Sequence, residues 1–218
     1  MQHIGDHIKA VFFDHDDTLV GTIGPKWEHH KYVAREHYSK DLTDDEIRAH
    51  WGKPFRELLC LIYETQDADQ AMANNAVSQD LYPKELFTAS IPTLRHLKKI
   101  GKLTGIITAT TRHNFEKDLL THNIPRELLD YTQTADDTHV HKPDPKVFSP
   151  AIAWLEKQDI SPSEVLYIGD GLHDMKAALG AGFSFIGVET GLVTAEQFIS
   201  AGAFSIASIG ELIKTSQV

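Results

Sequence analysis

The sequence predicts an α/β chain: a parallel sheet with helices on both faces, layered α/β/α and interrupted by a helical insertion. Three observations predict it. Apolar, β-prone runs alternate with amphipathic segments over most of the chain, the signature of strand–helix units sharing one parallel sheet. The first run, residues 8–13, is apolar at consecutive positions apart from Lys9, as a strand buried on both faces requires. After it, residues 22–87 carry helical signals and no strand-like run.

The elements follow in order. The strand at 8–13 ends abruptly in Asp14-His15-Asp16-Asp17. Residues 25–39, 43–51, 54–64 and 67–82 read as helices. Thr43 with Glu46 three residues on is a capping box, and Phe55, Leu58, Leu59 and Ile62 fall at helical spacing. Residues 91–100 form a helix closed by Gly101, followed by a strand at 103–108 and a helix at 112–122. A short strand at 131–134, a helix at 145–157, a strand at 165–168, a helix at 172–181 ending at Gly182 and a strand at 183–188 continue the alternation. Segments 194–201, 204–207 and 209–214 complete it. The predicted division is a core of residues 1–21 and 88–218 with an inserted helical domain at 22–87.

The 218 residues suit one domain with a substantial insertion, and 41% hydrophobic against 24% charged residues is a globular composition. The net charge of −10 leaves no basic face for nucleic acid, so no nucleic-acid binding is expected. Cys60 is the single cysteine, which excludes an intrachain disulfide and a cysteine-held zinc. No apolar run approaches the ~20 residues of a membrane span, and residues 1–10 lack the apolar stretch of a signal peptide. The expectation is a soluble cytoplasmic protein with no membrane partner; the oligomeric state is not encoded in these features.

Four places carry chemistry. In Asp14-His15-Asp16-Asp17-Thr18, two carboxylates two residues apart at a strand's C-terminal end can bind a hard cation or divide nucleophile and acid/base roles. A calcium loop would need Gly and Glu where Leu19 and Pro25 stand. In Ile106-Ile107-Thr108, a hydroxyl at a strand end can donate to an oxyanion or simply cap the next helix. In His141-Lys142-Pro143-Asp144-Pro145, the prolines stiffen a loop that presents a fixed cation, useful against phosphate. Tyr167-Ile168-Gly169-Asp170-Gly171-Leu172-His173-Asp174 follows another buried strand and offers a second acidic pair. Each alone is common. Together they offer oxygen ligands without thiols, which favours Mg²⁺, and the placement that phosphoryl transfer needs.

The ordered set Asp-x-Asp-x-Thr, strand-Thr, Lys-Pro and Gly-Asp-x-x-x-Asp resembles the haloacid dehalogenase superfamily of phosphatases. The helical insertion after the first motif resembles its helical-cap branch, which includes phosphoglycolate-phosphatase-like enzymes. The resemblance implies a Rossmann-like core and a Mg²⁺-dependent phosphatase that hydrolyses a small phosphomonoester, a phosphorylated metabolite, through an aspartyl-phosphate. It implies that Asp14 is the nucleophile and a metal ligand. Asp16 would be the acid/base, its backbone carbonyl facing the metal. Thr108 and Ala109 would hold the phosphoryl group. Lys142 would offset charge, and Asp170 and Asp174 would complete the metal site.

Asp16 separates the branches. Dehalogenases and phosphonoacetaldehyde hydrolases lack an acid there. Sugar-phosphate mutases keep it but use a cap histidine twelve residues after the nucleophile, where this chain has Lys26, with His29 and His30 nearby. Departures from common patterns are Asp17 for Gly, Gly21 for an acid and Ala109 for Asn. Lys53 and Arg56, at a helix start in the cap, are candidate contacts for a remote anionic group of the substrate. The cap as a whole is no anion trap, with 8 basic and 12 acidic residues over 22–88. His139 and His141 are expected to be structural or solvated, and Trp27 and Trp51 to be cap core. The alternatives are a phosphosugar mutase and a regulatory binding protein on the same fold, the latter separated by generic phosphomonoester hydrolysis with and without Mg²⁺.

Overall fold

The computed structural model describes residues 4–214; the outermost residues of the predicted core, 1–3 and 215–218, lie outside the described residues. The chain divides into two compact units. One runs up to Gly21 and resumes at Leu86; the other is Thr22–Glu85.

The first unit begins with β1 (Ala10–Phe13), followed by β2 (Val20–Gly21). The second unit is helical: α1 (Ile23–Tyr38), α2 (Asp44–His50), α3 (Phe55–Ile62) and α4 (Ala68–Ser78), with β3 (Glu85–Leu86) at its boundary. The first unit then continues through α5 (Ser90–Lys99), β4 (Leu103–Ile107), α6 (Arg112–Thr121), β5 (Tyr131–Gln133), α7 (Ser149–Glu156), β6 (Val165–Gly169), α8 (Leu172–Gly180), β7 (Ser184–Val188), α9 (Ala195–Ser200), β8 (Phe204–Ile206) and α10 (Glu211–Lys214).

Six strands form one sheet in the order β5-β4-β1-β6-β7-β8, every neighbouring pair parallel. β1 explains the consecutive apolar run. Val11 and Phe13 pack on one face with Leu94, Leu97 and Phe115 of α5 and α6. Ala10 and Phe12 pack on the other with Ala151, Leu155, Met175 and Ala178 of α7 and α8. A strand with helices on both sides has no polar face, so the period of two disappears from its sequence.

Inside the helical unit the Thr43–Glu46 capping box is formed, and Leu58, Leu59 and Ile62 are buried. Phe55, at the same helical spacing, is instead 48% exposed. Trp27 is buried and meets Trp51 edge-on at 5.8 Å.

Three expectations change. Residues 22–87 show no strand signal, yet β3 lies there and pairs with β2 as a separate two-stranded sheet; two residues are too few to leave a periodic pattern. The helix expected over 145–157 starts as a 3₁₀ turn, Pro145–Phe148, before α7 begins at Ser149. Pro150, without an N–H, sits in the first turn of α7, where none is needed. The helix expected over 67–82 ends at Ser78 and runs on as a 3₁₀ turn, Gln79–Leu81.

Candidate active site

β1 lies between β4 and β6, and the chain builds β4 and β5 on one side of it and β6, β7 and β8 on the other. At such a reversal the connections diverge and leave a crevice at the C-terminal strand ends, where open α/β sheets take their ligands. Asp14 directly follows β1, Thr108 follows β4 and Asp170 follows β6. Neighbouring strands are about 4.8 Å apart, so the topology brings three distant stretches of sequence to one small site.

The loop after β1 is a tight turn. The carbonyl of His15 accepts from the N–H groups of Thr18 (3.4 Å), Leu19 (2.9 Å) and Val20 (3.1 Å). Asp17 stands at φ 52°, in the left-handed region that glycine enters most readily. The buried His15 ring pins the turn to α6: its Nε2 is 3.0 Å from Asp118 Oδ2, and it meets Phe115 edge-on.

Lys142 reaches into this crevice from the loop before α7. Its Nζ donates to Asp14 Oδ1 (2.9 Å), Asp174 Oδ1 (2.7 Å) and the Tyr167 hydroxyl (2.7 Å), and lies 3.3 Å from the Ile107 carbonyl. Asp174 is fully buried, and its Oδ2 accepts from the Gly171 N–H at 3.0 Å. Asp14, Asp170 and Asp174 each offer a carboxylate oxygen, and the three oxygens lie within 4.8 Å of one another. Gly169 admits Asp174 beside the strand, since a Cβ there would come within 2.7 Å of the Asp174 side chain.

The carboxylates at this site crowd like charge into a buried space. Burial raises the Asp14 carboxyl above its ordinary range, and Asp174 and Asp16 add to this against the pull of Lys142. Burial likewise holds Asp170 well above the usual carboxylate value, reinforced by Asp174, Asp14 and Asp17. Burial pulls the Lys142 ammonium down, but Asp14 and Asp174 outweigh it and hold the group well above its ordinary value. With all three carboxylates ionised, the cluster and its one ammonium carry two net negative charges, which a divalent cation matches. The donors are all oxygen, a hard set that suits Mg²⁺.

The remaining predicted residues fall into two groups. Asp16 is half-buried, and its Oδ2 accepts from the Thr110 hydroxyl at 2.6 Å. Thr108 is buried and accepts from the Thr110 N–H at 3.0 Å, and Ala109 between them is exposed. Lys53 and Arg56 belong to the helical unit, where both are exposed and paired locally, Lys53 with Glu57 at 2.7 Å and Arg56 with Asp69. His139 and His141 are exposed.

The sequence pattern gave no role to Tyr167, Thr110 or Gly191. A tyrosine within an otherwise aliphatic buried strand was the one available signal for the first, since a buried hydroxyl needs partners. Gly191 leaves room for Asp170: a Cβ on it would lie 2.0 Å from Asp170 Oδ2. Nothing local in the sequence marks that contact.

A Rossmann-like parallel sheet with this acid–lysine cluster at its reversal point, and a helical unit inserted after the first strand, defines a phosphatase-type hydrolase. Residues 11–188 match the haloacid dehalogenase-like hydrolase family, and the chain belongs to it. Pyrophosphatase PpaX of Anoxybacillus flavithermus is 28% identical over 186 residues, covering 84% of each chain. Its Bacillus cereus counterpart is 27% identical over 177 residues, covering 80% of each. Among solved structures, a Bacteroides fragilis chain assigned as a haloacid dehalogenase-like hydrolase is 33% identical, with a TM-score of 0.78 over 94% of this chain and 100% of that one. A Thermotoga maritima chain assigned as a beta-phosphoglucomutase shares the fold, with a TM-score of 0.80 at 23% identity over 95% and 98% of the two chains. Among the described residues, no helix is long and apolar enough to cross a membrane.

Proposed function

We propose that this chain is a Mg²⁺-dependent phosphatase that hydrolyses a small phosphorylated metabolite through an aspartyl-phosphate on Asp14. The observation that carries the reading is the Asp14 carboxylate at the reversal point, held by Lys142 at 2.9 Å and sharing a 4.8 Å cluster with Asp170 and Asp174. Asp14, Asp170 and Asp174, with the backbone carbonyl of Asp16, would hold the metal, which when bound neutralises charge between carboxylate and phosphate.

In the first displacement an Asp14 oxygen attacks phosphorus, and the bond to the leaving oxygen breaks as Asp16 gives that oxygen its proton. In the second, water gives a proton to Asp16 and attacks phosphorus. The Asp14–phosphate bond breaks, inorganic phosphate leaves, and the Asp14 carboxylate and the protonated Asp16 are restored. One residue serves as acid and then base because the leaving group departs from the face that water later approaches. Thr108 and the Ala109 N–H would donate to the phosphoryl oxygens, and Lys142 offsets their charge. Lys53 and Arg56, exposed at the start of α3, are the cap's proposed contacts to a remote anionic group.

The pyrophosphatase names of the curated relatives favour one candidate substrate within this class, pyrophosphate itself. The test is release of inorganic phosphate from pyrophosphate and from a panel of phosphomonoesters, with Mg²⁺ and after EDTA. Turnover that EDTA abolishes and Mg²⁺ restores is expected; undiminished turnover in metal-free buffer contradicts the reading.

A further inference from the structure

We infer that Tyr167, which has no part in the bond-making steps, is the positioning residue that fixes the Lys142 ammonium against Asp14. This rests on the phosphatase reading and adds a residue to its site.

Lys142 has the problem of every lysine on a loop: a four-carbon stem with many rotamers and a point charge with no preferred direction. Its side chain is only 6% exposed, so each of its three N–H bonds needs a protein acceptor. Asp14 and Asp174 take two, and the Tyr167 hydroxyl takes the third at 2.7 Å. The direction of that third bond is set. A phenol has one proton, and Tyr167 donates it to the Ile107 carbonyl at 2.9 Å, so a lone pair is left facing the lysine. Without the hydroxyl, the third N–H bond is left to the more distant Ile107 carbonyl, 3.3 Å away and itself freed of its bond from Tyr167, and the ammonium shifts from its place against Asp14.

The tyrosine is itself rigid. It is fully buried on β6 and meets Phe148 edge-on at 4.9 Å. Phe148 closes the 3₁₀ turn that follows the Lys142 loop. One ring therefore steadies the loop through its apolar body and the ammonium through its hydroxyl. The ammonium also lies 5.2 Å from the ring centroid. The bond to Ile107 reaches from β6 to β4, the strands on either side of the one that carries Asp14, and ends one residue before Thr108. Tyr167 thus ties the lysine, the nucleophile strand and the predicted phosphate-binding turn into one frame. Misplacing a group of this kind by about 1 Å costs on the order of 10²-fold in rate.

The experiment compares wild type, Tyr167→Phe, Lys142→Ala and the double variant. Tyr167→Phe keeps the ring and removes only the hydroxyl. With pyrophosphate or the best phosphomonoester from the panel, kcat is expected to fall roughly 10- to 100-fold with KM within about twofold. In the Lys142→Ala background the same change should cost less than about twofold, since there is no ammonium left to place. A purely structural tyrosine would instead cost the same factor in both backgrounds, and that result overturns the proposal.

A second readout is independent of turnover. In protein carrying ¹⁵N-lysine, wild type should give a slowly exchanging ammonium signal that disappears in Lys142→Ala. Tyr167→Phe should weaken or shift that signal. An unchanged signal in Tyr167→Phe overturns the proposal whether or not the wild type hydrolyses anything. A wild type that hydrolyses no phosphate compound refutes the phosphatase reading, and the ammonium signal then decides on Tyr167 alone.

Discussion

The hydroxyl of Thr110 donates a 2.6 Å hydrogen bond to Oδ2 of Asp16, joining the loop after β4 to the loop after β1. The same residue's N–H donates to the Thr108 hydroxyl. Thr110 therefore orients the proposed acid/base and the proposed phosphate donor together. Thr110→Val, which keeps shape and loses the hydroxyl, should lower kcat by about 10-fold for an alkyl phosphate. The loss should be smaller for an aryl phosphate, whose leaving group needs little protonation. Parallel kinetics on the two substrates check this; equal rates to wild type on both contradict it.

Gly191 bears on the proposed metal site. The space a methyl would occupy is already filled by the Asp170 carboxylate, 2.0 Å away. Gly191→Ala must push Asp170 out of the cluster it shares with Asp14 and Asp174. Disturbing the support of a ligand typically weakens metal binding 10- to 100-fold. A Mg²⁺ titration of activity, with calorimetry on the same protein, should show the half-saturating concentration raised by about that factor, with kcat largely recovered at high Mg²⁺.

The helical unit holds two buried histidines on α1. His29 Nε2 is 3.0 Å from the Ser78 hydroxyl, and His30 Nδ1 is 2.9 Å from the Tyr63 hydroxyl, with Asn75 beside both His30 and Tyr63. Their rings stack on each other, His29 also faces Tyr82, and His30 meets Trp51 and Phe55. Burial, with Lys26 adding like-charge repulsion, lowers His29 to about 4; burial, with His29 and Lys26, lowers His30 to about 3. Lowered histidines bind protons more readily in the unfolded chain. Their contribution is intact above pH 6.5 and is lost as the pH falls from there toward 4 and 3. At pH 5 this amounts to about 2 kcal/mol per histidine. Urea unfolding between pH 7.5 and 4.5 should show this loss in wild type. A much flatter dependence is expected in His29→Gln/His30→Asn, whose amides keep the hydrogen-bonding positions but do not titrate. Identical pH dependence in both proteins would contradict it.

What was legible in the sequence follows from how each residue acts. β1 was visible because burial on both faces removes polar residues from a strand. The gathering of Asp14, Asp170 and Lys142 was legible because strand ends hold such residues at fixed places along the chain, and the proposed chemistry admits few residue types there. Tyr167 and Thr110 act through partners 60 and 94 positions away, contacts that only the folded sheet creates. Gly191 acts by lacking a side chain, which leaves no local pattern. The strand β3 was hidden for a different reason: two residues paired at a domain boundary have no period to detect.

The proposed covalent phosphate on Asp14 can be read by acid-quench mass spectrometry of Asp14→Asn and Asp16→Asn beside wild type. Asp16→Asn keeps the nucleophile and its own backbone carbonyl but loses the proton shuttle. With an aryl phosphate of good leaving ability it should still phosphorylate Asp14, and the intermediate should accumulate because water lacks its base. The expected result is a phosphate adduct on Asp14 in Asp16→Asn and none in Asp14→Asn. An adduct on a histidine or serine, or one that persists in Asp14→Asn, would contradict Asp14 as the nucleophile.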